Sequence, residues 1–144
     1  MAQASHSVQI PVNQDKVWNF VSKIEKWATL VPAYKAHKEV DAQTSIWTFE
    51  GSFKGLTKKI EIEIKVVEIN EPTNIKFEIK GLSDNFKGAG EFKAEPKDGG
   101  TYMTGVVEVT AGGLSGAVLN PAIKVLLPKV TTKLTEKIAR HIQA

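Results

Sequence analysis

Residues 59–66 read Lys-Ile-Glu-Ile-Glu-Ile-Lys-Val, and this stretch decides the fold class. Apolar and charged side chains alternate strictly, which is the period of a β-strand with one buried face and one wetted face. Such a strand is typical of an antiparallel sheet, because the strands of parallel sheets are buried on both faces. The stretch therefore predicts a sheet with an apolar face that another element must cover.

Strand-like patterns extend in both directions from this stretch. In each of them apolar residues alternate with polar residues or glycine, and turn-forming Asn, Pro and Gly separate them, as at residues 70–74 and 96–100. Most of residues 34–111 is therefore predicted to form one antiparallel sheet. The strands are predicted over residues 5–10, 45–54, 59–66, 75–80, 86–92 and 102–111, and residues 34–42 are ambiguous between strand and loop.

A helical region lies between the first predicted strand and the rest of the sheet. Asn13 is a good N-cap, and apolar residues follow it at helical spacing until Pro32 stops the pattern. We predict one broken helix or two short helices in this region.

A long helix is predicted after the sheet. Residues 114–144 carry apolar side chains at steps of three and four, which is the pattern of an amphipathic helix. Asn120 and Pro121 suit its N-cap and its first helical position. Pro128 is predicted to bend the helix without dividing it, because the apolar stripe continues across this proline. This helix is the element available to cover the sheet, and its cover can close fully or leave a pocket.

The composition is that of an ordinary globular domain. The chain has 144 residues, 42% of them hydrophobic and 24% charged, which predicts a single domain over residues 1–144. The absence of cysteine excludes disulfides, thiol catalysis and cysteine-ligated metals. The first residues lack a signal-peptide pattern, and no apolar run is long enough to span a bilayer. We therefore expect a cytoplasmic protein.

The net charge of +3 is concentrated in the final helix. Residues 115–144 carry five basic residues and one acidic residue, a net charge of +4, whereas residues 1–114 carry a net charge of −1. All but one of the 19 basic residues are lysine, which disfavours nucleic acid as a partner because arginine is the better ligand for phosphates and bases. Lysines beside an apolar stripe are also typical of a weak membrane-surface contact, although the sheet is the simpler partner for that stripe.

No motif for catalysis or cofactor binding stands out. The glycines that precede the last helix lack the spacing of a phosphate-binding loop. His6, His37 and His141 do not have metal-binding spacing and are expected at the surface. We therefore expect no cofactor and no metal.

The face of the sheet that should turn inward carries many aromatic rings and also Gly88, Gly90 and Gly105. Glycines beside large rings leave space, which either the long helix fills, giving an ordinary core, or an apolar ligand occupies. If a cavity is present, apolar residues of the strands and of the helix should line it. The predicted lining residues are Tyr34, Trp47, Phe49, Phe53, Ile62, Phe77, Phe92, Met103, Ile123, Leu126 and Leu127.

The order of elements and its local motifs resemble the START-related (SRPBCC) superfamily of lipid-transfer, polyketide cyclase and birch-pollen-allergen-like proteins. The motifs are Val-Gln-Ile-Pro-Val-Asn-Gln-Asp-Lys-Val-Trp at residues 8–18, Trp27 followed by Leu30-Val-Pro32, Glu68 with Glu71-Pro72, and Gly99-Gly-Thr101. The resemblance implies an α+β helix-grip fold, in which a curved seven-stranded antiparallel sheet wraps around a long C-terminal helix and two short helices lie between strands 1 and 2. It also implies a cavity for a hydrophobic molecule and no shared catalytic residue.

Within this superfamily the chain looks most similar to proteins like the G-type subunit of carbon monoxide dehydrogenase. Those proteins often carry Pro-Gly where this chain has Pro32-Ala33, and a Gly-rich entry to the last helix like the one at residues 112–116.

Three classes of function are open. The leading hypothesis is a non-enzymatic carrier or sensor of a small hydrophobic ligand. A cyclase or hydrolase on the same scaffold would need polar side chains that converge inside, for which Tyr34, His37, Glu50, Tyr102 and Glu108 are the candidates. The third class is an accessory or assembly factor for a larger oxidoreductase, or a protein that acts at a membrane surface. A homodimer is compatible with each of them.

Overall fold

The computed structural model describes residues 2–53, 56–82, 85–113 and 116–143. Within these residues the chain forms seven strands, three α-helices and one 3₁₀ turn. In chain order they are β1 (Ala2–Ile10), α1 (Gln14–Val21), α2 (Ile24–Trp27), the 3₁₀ turn (Ala28–Leu30), β2 (Tyr34–Glu39), β3 (Thr44–Phe53), β4 (Leu56–Asn70), β5 (Asn74–Gly81), β6 (Phe86–Lys97), β7 (Gly100–Ala111) and α3 (Gly116–Gln143).

The strands that the structure describes form one antiparallel sheet in the order β1-β7-β6-β5-β4-β3-β2. Each neighbouring pair is antiparallel, and β1 and β2 are the two edges. The ambiguous residues 34–42 supply the edge strand β2. The predicted helix-grip architecture is confirmed, including the two short helices between the first two strands.

The alternation of residues 59–66 is realised in β4. Ile64 is buried on the inner face, whereas Glu61 is exposed on the outer face. Ile62 lies directly across from Trp47 in β3, so aromatic and branched side chains meet on the inner face. The pattern of one strand therefore identified which face of the whole sheet is covered.

The short helix α1 begins as predicted. The side chain of Asn13 accepts a hydrogen bond from the backbone N–H of Lys16 at 3.0 Å, which satisfies one of the free N–H groups of the first turn. Val17 and Val21 are buried. This helix therefore turns an apolar face toward the sheet.

The long helix α3 packs mainly against β1 and β7, at one end of the inner face. Leu134, Ile138 and Ile142 are buried there. The approach is close at Gly105, where a Cβ would lie 2.6 Å from Oγ1 of Thr135. Among the helices that the structure describes, none combines the length and apolar character needed to cross a bilayer.

The start of α3 differs from the sequence-based expectation. The helix begins at Gly116, so the predicted N-cap at Asn120 is wrong. The Asn120 side chain instead pairs with Ala111 at the end of β7: its Nδ2 donates to the carbonyl, and its Oδ1 accepts from the N–H, both at 2.8 Å. A carboxamide offers one donor and one acceptor side, so it can bond a backbone N–H and C=O together.

Pro121 and Pro128 both lie inside one continuous helix, and the bend at Pro128 stays a prediction.

Trp27 is the centre of an aromatic cluster within the curve of the sheet. Its ring centroid lies 4.9 Å from that of Phe92, 5.5 Å from that of Trp47 and 5.9 Å from that of Phe77. Its Nε1 donates to the carbonyl of Val21 at 3.0 Å, so its polar edge is satisfied. Aromatic pairs at such distances contribute about 0.5–1.5 kcal/mol each beyond their burial. Trp27 therefore anchors the short helices to the inner face.

Two of the three inner-face glycines lie beneath packed side chains. A Cβ at Gly90 would lie 2.3 Å from the Phe77 ring, and one at Gly105 would lie 3.1 Å from the Phe92 ring. At Gly88 it would lie 2.1 Å from a backbone oxygen of β7. The space beside Gly90 and Gly105 is filled, as expected for an ordinary core, whereas Gly88 lies between Ile79 and Val109, which both line the cavity described below.

We predict that Gly90→Ala destabilises the protein by about 1–3 kcal/mol, because the added methyl group overpacks against the buried Phe77 ring. The measurement is the free energy of unfolding from chemical denaturation. The matched control is Gly51→Ala, since a Cβ at Gly51 would meet only the Cβ of Ala33, at an ordinary 3.7 Å. Equal stabilities of the two variants would contradict this account of the inner face.

Candidate functional site

A cavity of about 290 Å³ lies between the inner face of the sheet and the middle of α3, and it is partly open to solvent. Strands β3 to β7, the segment after the 3₁₀ turn and α3 all contribute to its wall. The lining residues are Trp27, Val31, Pro32, Ala33, Trp47, Phe49, Ile60, Ile62, Ile64, Phe77, Ile79, Phe86, Val107, Val109, Leu127, Val130 and Leu134. All of them are apolar or aromatic.

The cavity exists because α3 covers only part of the sheet. The helix packs mainly against β1 and β7, and residues 31–33 border the part of the inner face that it leaves uncovered. The backbone N–H of Glu50 donates to the carbonyl of Ala33 at 3.0 Å, which holds this segment against β3. Ala33 has a φ of 68°, a left-handed conformation that costs a non-glycine residue about 1–2 kcal/mol. The cover is therefore a tight turn with little bulk, and space remains beneath it.

Trp27 borders both the cavity and the packed core. It is one of the lining residues and is only 2% exposed. It also contacts Phe92, which is buried among the core residues and does not line the cavity. The indole ring thus forms the floor of the cavity.

Five of the eleven residues predicted to line a cavity border this one: Trp47, Phe49, Ile62, Phe77 and Leu127. They come from three neighbouring strands and from α3, so the structure brings together residues up to 80 positions apart in the sequence. Whether they contact a ligand stays a prediction.

Other predicted lining residues lie elsewhere. Phe92 and Met103 are packed in the core. Ile123 is half-buried and lies outside the cavity wall. Leu126 is 36% exposed, whereas Leu127 faces inward. The two differ because consecutive side chains of a helix point about 100° apart. The side chain of Phe53 lies outside the described part of the chain.

The wall also contains residues that are absent from the eleven predicted lining residues. Val107 and Val109 alternate with outer-face residues in β7, and this alternation places them on the inner face with Gly105. The cover formed by residues 31–33 left no such signal, because its position depends on contacts with β3 and not on any local period.

Three of the candidate polar residues point away from the cavity. Glu50 is exposed and pairs with the Nζ of Lys35 at 3.1 Å. Tyr102 lies beneath the Nζ of Lys97, 4.7 Å from the ring centroid. Glu108 and Tyr102 alternate with the inward residues of β7, which places both on the outer face. None of the three can act on a molecule inside the cavity.

The remaining two candidates, Tyr34 and His37, lie together at the β2 edge of the sheet. The Tyr34 hydroxyl is hydrogen-bonded to Nδ1 of His37. Tyr34 is paired with Phe49 and His37 with Trp47 across the β2–β3 ladder, so the pair shares the inner face with two lining residues. Tyr34 itself is half-buried and does not line the cavity.

The side chains that line the cavity carry no charge. The pKa of Asp41 is lowered, chiefly because the backbone N–H of Gln43 donates to its carboxylate, but Asp41 lies in the turn between β2 and β3. Within the described residues, no group of three or more His, Asp or Glu side chains could hold a metal ion.

Comparison with known families gives a match along nearly the whole chain. The family model described as "Polyketide cyclase / dehydrase and lipid transport" matches residues 1–143. Among curated protein sequences, none matches this chain significantly.

Solved structures with the same fold are numerous and distant in sequence. A conserved protein from Geobacillus kaustophilus is 14% identical, with a TM-score of 0.81 over 98% of this chain and 95% of that one. A START superfamily protein from Mycobacterium smegmatis is 15% identical, with a TM-score of 0.77 over 99% and 98% of the two chains. An aromatase/cyclase from a Streptomyces species is 12% identical, with a TM-score of 0.64 over 99% and 96%. At these identities the likeness shows the fold alone.

We predict that Asn120→Ala loosens the start of α3 above the sheet. The variant loses both 2.8 Å hydrogen bonds to Ala111, which should lower the free energy of unfolding by about 1 kcal/mol and speed hydrogen exchange of the Ala111 amide. Lys124→Ala, at an exposed position one turn later, is the control and should change neither quantity. Unchanged exchange at Ala111 in Asn120→Ala would contradict the anchoring role.

Proposed function

This chain belongs to the polyketide cyclase/dehydrase and lipid transport family, and we propose that it binds a small apolar molecule in the cavity beneath α3, as a carrier or sensor. Membership confirms the resemblance to the START-related superfamily. The closer resemblance to the G-type subunit of carbon monoxide dehydrogenase stays a prediction.

The composition of the cavity wall is the main support for ligand binding. All 17 lining residues are apolar or aromatic, so water inside gains few hydrogen bonds and an apolar molecule can displace it favourably. An engineered apolar cavity of about 150 Å³ holds benzene. A cavity of about 290 Å³ therefore suits a molecule of about two rings, and a longer molecule can extend through its open side. The cytoplasmic location expected from the sequence stays a prediction.

A cyclase-type activity is favoured by one feature only, the Tyr34–His37 pair on the inner face. A phenol bonded to an imidazole can pass a proton to or from a bound molecule. The pair lies beside the cavity wall and not in it, and the carboxylates of Glu50 and Glu108 face the other way. Binding without catalysis is therefore the better-supported function.

A carrier must also release its ligand, and the exposed surface of α3 beside the cavity is a candidate place for this release. Val125 is 50% exposed and Leu126 36% exposed, next to the lining residue Leu127. Lys124 and Lys129 are exposed on either side of them. Aliphatic side chains flanked by lysines suit an anionic lipid surface, so we propose that this part of α3 touches anionic membranes weakly.

We predict that Val107→Phe weakens the binding of N-phenyl-1-naphthylamine about tenfold or more, because the added ring occupies the cavity. The measurement is a fluorescence titration of this apolar dye. Val106→Phe is the matched control: it puts the same ring on the preceding residue of β7, whose side chain faces outward. Equal effects of the two variants, or no dye binding by the wild type, would overturn the proposed function.

We predict that the wild type co-sediments with phosphatidylserine-containing vesicles at low salt and not with pure phosphatidylcholine vesicles. Val125→Asp should remove this binding. Val67→Asp is the control, because Val67 is 48% exposed on β4, close to the 50% of Val125. Binding that both variants retain, or that salt does not weaken, would rule out membrane contact through α3 and leave the cavity proposal intact.

A further inference from the structure

Residues 31–33, called the strap from here on, are the part of the cavity wall that belongs to neither a helix nor a strand. They follow the 3₁₀ turn and lead into β2. Of the 17 lining residues, Ala33 alone is exposed, whereas the others are buried or half-buried. The strap therefore reaches from the cavity to the protein surface and forms one edge of its opening.

Few hydrogen bonds hold the strap in place. The backbone N–H of Val31 donates to the carbonyl of Ala28, and its own carbonyl accepts from the N–H of Tyr34, both at 3.1 Å and both within the same turn of the chain. Among the residues that the structure describes, one backbone hydrogen bond joins the strap to the sheet, from the N–H of Glu50 to the carbonyl of Ala33 at 3.0 Å. The position of the strap on β3 thus depends on this bond and on apolar contacts.

The backbone of Ala33 is strained in this position. Its φ of 68° is a conformation that glycine adopts freely and alanine does not, because of the Cβ. Asp98 is the other non-glycine residue with a positive φ in the described part of the chain, and it lies in the tight hairpin turn between β6 and β7, where this conformation is required. A strained residue outside such a turn persists only when its surroundings hold it, and one hydrogen bond to the sheet does so at Ala33.

The other parts of the wall are held far more firmly. Each lining strand, from β3 to β7, lies between two neighbours in the sheet, so moving it would break hydrogen bonds on both sides. The helix α3 is fixed by buried residues against β1 and β7. Displacing the strap breaks one hydrogen bond to the sheet and lets Ala33 return to an ordinary φ.

We infer that the strap is the movable edge of the cavity: it leaves β3 by a rotation at Ala33 when a ligand enters or departs, and it returns once the ligand is inside. The inference rests on the proposed function, because it requires a ligand in the cavity. It adds the route of exchange and the segment that controls its rate.

A disulfide can test this, because the Cβ of Ala33 lies 3.7 Å from the position of a Cβ added at Gly51 in β3. Disulfides join Cβ atoms that are roughly 3.5–4.5 Å apart. The natural chain has no cysteine, so the double variant with Ala33→Cys and Gly51→Cys can form one defined bond within the chain, which clamps the strap to β3. The rates of binding and release of N-phenyl-1-naphthylamine are measured by stopped-flow fluorescence, with the variant oxidised and then reduced by dithiothreitol.

We expect the oxidised double variant to bind and release the dye about tenfold or more slowly than its reduced form, with a dissociation constant changed by less than about twofold, because both rates depend on the same movement. The controls are the two single variants, whose rates should not respond to dithiothreitol. Equal rates in the oxidised and reduced double variant, or a changed affinity without slower exchange, would overturn the inference and leave the proposed function standing. If the wild type does not bind the dye, the proposed function itself fails.

A second measurement uses the wild type alone, so it applies even if the double variant does not fold. The N–H of Glu50 should exchange with solvent deuterium about tenfold or more faster than the N–H of Val66, because displacement of the strap exposes it. Val66 is the matched reference, since its N–H donates to the carbonyl of Gln43 at 2.9 Å, a bond of similar length to a turn beside the sheet. Equal or slower exchange at Glu50 would show that the strap is a fixed part of the wall.

Discussion

One helix cannot cover the whole inner face of a curved seven-stranded sheet, and the rest of the molecule follows from this constraint. The helix α3 lies over β1 and β7, where Gly105 allows close approach beneath Thr135. Residues 31–33 cover part of the remaining face with a turn that β3 holds by a backbone hydrogen bond. The space left between these two covers is the cavity, which is therefore a product of how the elements fit and not of a missing side chain.

The composition of the inner face decides what this space can do. The strict alternation that buries the face also clears it of charge, because every acidic or basic residue of the pattern turns outward. Trp27 closes the floor of the cavity against the packed core and has its own N–H satisfied. Such a space favours binding over proton chemistry.

Local patterns predicted the elements well and the details of the site less well. Alternation found the strands and the covered face, and the cap at Asn13 was correct because it depends only on neighbouring residues. Asn120 is not the cap that the local pattern predicts, because its side chain pairs with Ala111, at the end of the preceding strand. Leu126 was expected to line the cavity, but the rotation of α3 on the sheet, which no local pattern specifies, turns Leu127 inward instead. The inner-face glycines predict space, which packed side chains fill at Gly90 and Gly105.

The central claim is that a dry, accessible apolar cavity exists beneath α3 in the ligand-free protein. The most direct measurement is a crystal structure of the protein under xenon pressure, since xenon enters empty apolar cavities without any hydrogen bond. We expect xenon bound between Leu127 and the inner faces of β3 and β4, beside Trp47 and Ile62. A structure without xenon there, in which side chains of α3 and β4 fill the space, would contradict it.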